Sequence, residues 1–178
     1  MRNRFQVIGF FLAFLGSNIA FGQTSKIVSG STDFKVKYIL GTCEGTFAAP
    51  KGEAVFNEKS PENASFDIKI AASTFETGND SRDKDMKSDK YFAVEKYPNI
   101  HFKSSKVEKK NGQYEATGKL TIRDVTKSVT LPFEAKKNAD GTYALTSKFE
   151  INRLDYKIGT KDWKLKDVVT VDLKAIIK

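Results

Sequence analysis

Apolar and polar side chains alternate along most of this chain, and this two-residue period constrains the fold more than any other feature. Such alternation is typical of a strand with one buried face, because successive side chains point to opposite sides. The segments that show it lie at residues 33–38, 52–56, 66–70, 100–103, 114–122, 128–136, 145–151 and 169–177. Roughly eight strands with short turn-like connections predict an all-β, antiparallel fold.

The apolar face of such a sheet needs a cover. Either two sheets stack, or one sheet closes into a barrel and thereby loses its edges. The pattern alone does not separate these alternatives. One short helix is predicted in the region from Asp80 to Phe92, with Asp80 or Ser81 as its cap. Pro132 falls inside a predicted strand, so it should occupy an edge-like or bulged position.

The first 22 residues carry the pattern of a secretory signal peptide. Arg2 and Arg4 are followed by an apolar run over 5–15 and by small residues at Ala20 and Gly22. Cleavage is predicted after Gly22, which leaves one domain at 23–178 and places the protein in the periplasm or outside the cell. The alternative is a membrane anchor, although the run is short for a span of about 20 residues.

The charge pattern bears on partners. The formal net charge is +8, but acidic residues are interspersed among the lysines and arginines. A nucleic-acid surface clusters its basic side chains on one face, so no nucleic-acid partner is predicted. Scattered lysines are compatible with a transient contact with anionic membrane headgroups. Cys43 is the only cysteine, so the domain must be held together by its core rather than by disulfides.

The chain lacks the residue combinations that common enzymes use. His101 is the only histidine, and the alternation places it on the outer face beside Lys103, away from any Ser-His-Asp arrangement. No G-x-S-x-G elbow or glycine-rich phosphate loop is present. One histidine and one distant cysteine do not make a zinc site, and the acidic residues after Asn79 miss the spacing of a calcium loop. We therefore predict no catalytic residue, no metal and no cofactor.

Three stretches carry a family resemblance. Residues 74–104 read T-F-E-T-G-N-x-x-R-D-x-x-M-K-S-x-x-Y-F-x-x-x-K-Y-P-x-I-x-F-K-S, which resembles the signature of the YceI-like, polyisoprenoid-binding periplasmic proteins. Residues 118–131 resemble the family's G-x-L-T-I-R-G-V-T-K-x-V-x-L hairpin, with Asp124 in place of a glycine. Residues 151–159 resemble I-N-R-x-D-F-G-I-G, with Lys157 in place of a glycine. The family's D-x-x-H-S near the first strand is not visible at 29–33.

The resemblance implies an eight-stranded, lipocalin-like barrel that encloses an isoprenoid lipid such as a quinone or a prenyl phosphate. Inward-facing side chains would then line the cavity: Phe34, Phe66, Phe102, Leu131, Phe133, Phe149 and Ile151. The same residues are equally compatible with a filled core. A filled barrel would serve as a stress-related structural or protein-interaction module. The sequence sets no oligomeric state.

Polar contacts to a lipid head group are expected at the rim of the barrel. The family-like positions Arg82, Asn152 and Arg153 are the candidates, since arginine pairs well with phosphate or carbonyl oxygens. The alternative is a structural Arg–Asp pair that pins the helix to the rim. Lys157 would narrow the space at the rim or add a charge there.

Overall fold

The computed structural model describes residues 25–178, which form nine strands and one α-helix. The strands are β1 (Ser25–Tyr38), β2 (Gly41–Phe47), β3 (Lys51–Val55), β4 (Ser65–Ala71), β5 (Asn99–Lys110), β6 (Gln113–Ile122), β7 (Val125–Lys137), β8 (Tyr143–Asn152) and β9 (Leu165–Ile177). Helix α1 (Asp80–Lys87) and three short 3-10 turns (Pro61–Asn63, Ala72–Thr74 and Arg153–Tyr156) lie in the connections. The predicted signal peptide falls outside the described residues and stays a prediction.

Every strand pairs antiparallel with its neighbours, and β9 returns to pair with β1, which closes a barrel. Strands β2 and β3 occupy one position in this barrel, because both pair with β1 in one continuous register. Thr32 lies opposite Phe47 in β2, and Lys26 lies opposite Glu53 in β3. The break between them contains Pro50, which has no N–H to donate to a strand ladder. The predicted eight-stranded antiparallel barrel with one short helix is confirmed.

The two ends of the barrel differ. At the closed end, Phe56 packs edge-on against Tyr114, Phe133 and Tyr143, with ring centroids 5.1–5.8 Å apart. These rings, together with the buried Ile177, plug the interior. The opposite end, called the mouth below, carries the β1–β2 hairpin, helix α1, the β6–β7 hairpin and the 153–164 segment. The aromatic plug therefore closes one end, whereas the helix and three connecting segments surround the other.

Strands β7 and β8 diverge toward the mouth. Their ladder runs only from Glu134 to Lys137 on β7. Pro132 lies just before this ladder, and its carbonyl accepts a hydrogen bond from the Ser147 hydroxyl at 2.6 Å. Pro132 thus occupies the edge-like position that the sequence predicts, because no strand on that side needs its missing N–H.

The N-terminus of helix α1 differs from the expectation by one residue. The Asn79 side chain, not that of Asp80 or Ser81, caps the helix by accepting a hydrogen bond from the Arg82 N–H at 3.0 Å. Asp80 and Ser81 are already helical, so their side chains cannot reach the orphan N–H groups in the same way. Among the described residues, no helix is both long and apolar enough to cross a membrane.

Candidate ligand cavity

A cavity of about 480 Å³ lies between the closed end and the mouth. Its wall is made of apolar side chains from strands all around the barrel, because every second residue of a barrel strand points inward. The structure places all seven predicted residues on this wall: Phe34, Phe66, Phe102, Leu131, Phe133, Phe149 and Ile151. That they contact a lipid stays a prediction.

The interior is thus partly filled and partly hollow. Phe133 belongs to the filled part, since it is buried and its ring stacks on Tyr114 with centroids 5.2 Å apart. Phe149 and Ile151 belong to the hollow part, because both are only half-buried although they point into the barrel. The strict filled-core alternative does not describe this barrel.

The segment that carries the first family-like stretch covers one side of the mouth. Phe75 packs on Phe34 and Phe47, and Phe92 packs on Phe47 and Phe75, with ring centroids 5.0–5.7 Å apart. Met86, from the last turn of α1, also contributes to the cavity wall. These contacts hold the helix over the end of the barrel, where it narrows the opening.

Arg82 reaches the cavity from the start of α1. Its Nε donates a hydrogen bond to the Thr77 hydroxyl at 2.7 Å. That hydroxyl donates in turn to the Asp83 carboxylate, which also accepts the Thr77 N–H at 3.0 Å. Burial alone would raise the pKa of Asp83, but the hydrogen bonds from Thr77 outweigh it and the pKa is lowered. Asp83 thereby fixes the loop that positions Arg82.

Asp83 should make this region sensitive to acid. Its pKa in the folded protein lies below the ordinary value of 3.8, so its stabilising effect is present above pH 3.8 and is lost as the pH falls through the folded value. We expect Asp83→Asn to unfold more readily in urea at neutral pH and to lose less stability than wild type on acidification. Other carboxylates titrate alike in both proteins. The informative quantity is therefore the difference in stability between wild type and Asp83→Asn at each pH. Parallel pH profiles of the two proteins would contradict this role.

Arg153 lines the cavity but is 3% exposed and makes four internal contacts. Its Nη1 donates to the carbonyls of Ile158 at 3.0 Å and Thr160 at 2.9 Å, and its Nε donates to Lys166 O at 3.2 Å. Its Nη2 pairs with the Asp167 carboxylate at 3.0 Å. This is an Arg–Asp structural pair, although it holds the 153–164 segment rather than the helix.

Asn152 does not reach the cavity. Its side chain accepts a hydrogen bond from the Leu154 N–H at 3.0 Å and so caps the 3-10 turn that follows β8. A head-group role for Asn152 remains a prediction that no contact here supports. Of the three rim candidates, Arg82 keeps donors free at the mouth, since its hydrogen bonds within the described residues go to Thr77 alone.

The two positions that depart from the family pattern meet at the mouth. The Lys157 ammonium pairs with the Asp124 carboxylate at 2.5 Å. Lys157 keeps the left-handed backbone that a glycine favours, with φ of 57°. Arg123 joins them by donating to Lys157 O and to Asp89 O. The charge that Lys157 adds is therefore neutralised locally and ties the β6–β7 hairpin to the 153–164 segment.

The residues considered for catalysis or metal binding are not assembled. His101 lies on the outer face, where its Nε2 contacts the Asp67 carboxylate at 2.7 Å. The hydrogen bond from His101 lowers the pKa of Asp67, with a further contribution from Lys103. Among residues 25–178, no group of three or more His, Cys, Asp or Glu side chains is placed to hold a metal ion.

Sequence reasoning missed several residues of the site. Val169, Val171 and Leu173 also line the wall, and the alternation over 169–177 was the signal that could have identified them. Lys164 lines the mouth beside Leu165, and no local pattern indicates it because it follows a tight turn. Trp163, in the same turn, is exposed.

The comparisons with known proteins agree with this architecture. A family model for the YceI-like domain matches residues 18–176. The protein YceI of Salmonella arizonae is 33% identical over 129 residues, which cover 72% of this chain and 64% of that protein. The chain spans between 47% and 64% of the length of the curated relatives that head the comparison.

Two solved structures share the fold. The crystal structure of Burkholderia cenocepacia BcnA has a TM-score of 0.78 at 23% identity, covering 83% of this chain and 95% of that one. A domain from Saccharophagus degradans, described as a polyisoprenoid binding domain implicated in plant cell wall breakdown, has a TM-score of 0.67 at 12% identity. It covers 87% of this chain and 97% of that one.

Fold and cavity together define the class, a closed antiparallel β-barrel around an apolar interior. Within that class, the chain belongs to the YceI-like domain family.

Proposed function

We propose that this protein binds one amphiphilic isoprenoid lipid, with the tail in the barrel and the head group at the mouth. The observation that carries the proposal is the apolar cavity of about 480 Å³ between the plugged end and the mouth. This volume lies within the roughly 300–1,000 Å³ of typical small-molecule sites. The description of the Saccharophagus degradans neighbour as polyisoprenoid-binding supports the same ligand class. The protein would then carry, store or sequester this lipid in the periplasm, without catalysis.

An isoprenoid tail suits such a wall because it requires area rather than hydrogen bonds. Each buried CH₂ group contributes about 0.8 kcal/mol, so a five-carbon unit contributes roughly 4 kcal/mol before the costs of association. Methyl branches would pack against the aromatic rings of Phe34, Phe102 and Phe149. Several units together would give tight binding with few polar contacts.

The charges at the cavity favour an anionic head group. Arg82 and Lys164 both reach the lining of the cavity, whereas no carboxylate belongs to its described lining. Arg82 retains free N–H donors after its contacts to Thr77. Two cations at a lining that contains no carboxylate attract a phosphate more strongly than a neutral quinone carbonyl. Of the two head groups that the family resemblance implies, we therefore propose the prenyl phosphate.

Mass spectrometry of solvent extracts tests the function directly. The protein is purified without detergent from its own host, and we expect a stoichiometric isoprenoid. If the extract is empty, the protein is titrated with a prenyl phosphate and with the neutral alcohol of the same tail, and we expect tighter binding of the phosphate. Equal affinities would overturn the anionic head group alone. No binding of either compound would overturn the function and leave the interaction module as the better explanation.

A further inference from the structure

Three large apolar side chains stand exposed together at the mouth of the barrel. Leu40 is 84% exposed, Trp163 is 77% exposed and Ile39 is 59% exposed. Ile39 and Leu40 form the tip of the β1–β2 hairpin, and Trp163 lies in the turn before β9. The two tips adjoin, because the Ile39 N–H donates to the Lys164 carbonyl at 2.8 Å. We call these three residues the mouth patch.

The mouth patch adds nothing to the barrel core. Large apolar side chains in a group on a surface commonly mark a site of interaction rather than a structural need. The patch also adjoins the cavity, since Tyr38 and Lys164, the immediate neighbours of its members, both line it. Whatever covers the patch therefore faces the opening of the cavity.

Basic side chains surround the mouth patch. Lys37, Lys161, Lys164 and Lys166 lie within three residues of its members, and all four are exposed. The acidic residues in the same segments are Asp162 and Asp167, and Asp167 is already paired with Arg153 and Lys161. The Lys164 ammonium lies over the Trp163 ring, 5.4 Å from its centroid. The local charge around the patch is therefore positive.

The mouth patch fits the surface of an anionic lipid bilayer, because it combines exposed aliphatic side chains and a tryptophan with surrounding lysines. Tryptophan favours the level of the headgroups, where its ring is half apolar and its N–H is solvated. Interfacial binding grows with the buried apolar area and with attraction to anionic lipids. A second copy of this chain would instead bring two positively charged surfaces together, which costs electrostatic energy.

We propose that the mouth patch docks the open end of the barrel onto an anionic membrane surface. In this orientation the cavity opens toward the bilayer, and the closed end points to water. A lipid could then pass between bilayer and barrel without crossing bulk solvent. This transfer step rests on the proposed function, whereas the docking itself needs no bound lipid.

The emission of Trp163 tests the docking at the patch itself. It is the only tryptophan of the chain, so its fluorescence reports on this turn even if the apolar N-terminal run also binds vesicles. The full chain is titrated with phosphatidylglycerol vesicles and, separately, with phosphatidylcholine vesicles. We expect a blue shift and quenching by brominated lipid in the anionic vesicles, and weaker binding in added salt, since each lysine near an anionic surface contributes roughly fivefold.

Two variants make the test specific. Changing Ile39→Asn together with Leu40→Asn should weaken the vesicle-induced shift at least about tenfold, because it removes most of the aliphatic area. Val28→Asn is the matched control, since Val28 is also exposed but lies near the closed end; it should bind within about twofold of wild type.

Three results would overturn the proposal. The first is no shift in any vesicle. The second is an unchanged shift in the double variant. The third is a shift that appears without vesicles and grows with protein concentration, which would assign the patch to contact between copies. Ligand extraction is measured separately, so failure of docking is distinguishable from failure of lipid binding.

Discussion

Replacing Phe149 with arginine is expected to abolish uptake of an isoprenoid lipid while the barrel remains folded. Phe149 lines the cavity but is only half-buried and lies outside the cluster of buried core residues. Its loss should therefore disturb packing little, and its half-buried position leaves the guanidinium partly hydrated in the empty barrel. Within the cavity, a charge beside an apolar tail is strongly unfavourable. We expect affinity to fall at least about 100-fold, close to 3 kcal/mol, in a titration with a prenyl phosphate.

The position of the new charge, not its presence, should decide the result. Glu150→Arg introduces the same side chain on the next residue, which points to the outer face, so binding should stay near that of wild type. Circular dichroism and urea unfolding establish that both variants are folded. Phe133→Arg is a poorer probe because Phe133 is part of the aromatic plug and its loss should unfold the barrel. A folded Phe149→Arg protein with normal uptake would remove Phe149 from the site.

The barrel was predictable because its strands repeat one simple rule. Each strand buries one face, and the alternation in segments such as 114–122 and 169–177 states which face that is. Barrel and sandwich share this pattern, so closure itself is not visible in it. Closure depends on the pairing of β1 with β9, whose residues lie more than 100 positions apart in the chain. The family resemblance supplied what the pattern could not.

Strand β2 shows where the pattern fails. Residues 41–47 read G-T-C-E-G-T-F and contain one large apolar side chain, so they show no apolar face. They form a strand because they continue the register of β3 against β1. At Gly45 an added Cβ would lie 2.4 Å from the Phe34 ring and 2.5 Å from Glu76 O. The small residues are therefore a consequence of close packing by neighbours distant in sequence.

The cavity wall could be predicted from the local sequence, whereas the mouth could not. The wall follows from strand alternation, and the structure places all seven predicted lining residues on it. The mouth is built by contacts between loops, such as the Lys157–Asp124 pair across 33 residues of sequence. No local sequence pattern predicts such a pair. Arg153 was proposed for a head group, yet its partners in the loop and in β9 use its donors for structure.

Replacing Arg153 with methionine should destabilise the protein by about 3 kcal/mol or more, measured as the free energy of unfolding in urea. The buried guanidinium satisfies three backbone carbonyls and the Asp167 carboxylate. Methionine fills a similar volume but leaves the three carbonyls without their donor and leaves Asp167 with Lys161 as its remaining partner. Removing one partner of a buried ion pair typically costs roughly 3–5 kcal/mol. Asp167 is 22% exposed, so water can reach it and the lower end of that range is expected.

Arg82→Met is the matched control, because Arg82 is exposed and its hydrogen bonds go to one threonine. Its loss should cost no more than about 1 kcal/mol, yet it should weaken binding of a prenyl phosphate. Arg153→Met should show the opposite balance at low temperature, where the barrel still folds: reduced stability with the preference for phosphate over alcohol retained. A stable Arg153→Met protein that no longer prefers the phosphate would instead return Arg153 to the head-group site. Burial thus distinguishes the two arginines at the mouth. The buried Arg153 uses its donors within the protein and holds the 153–164 segment. The exposed Arg82 keeps free donors and faces the ligand.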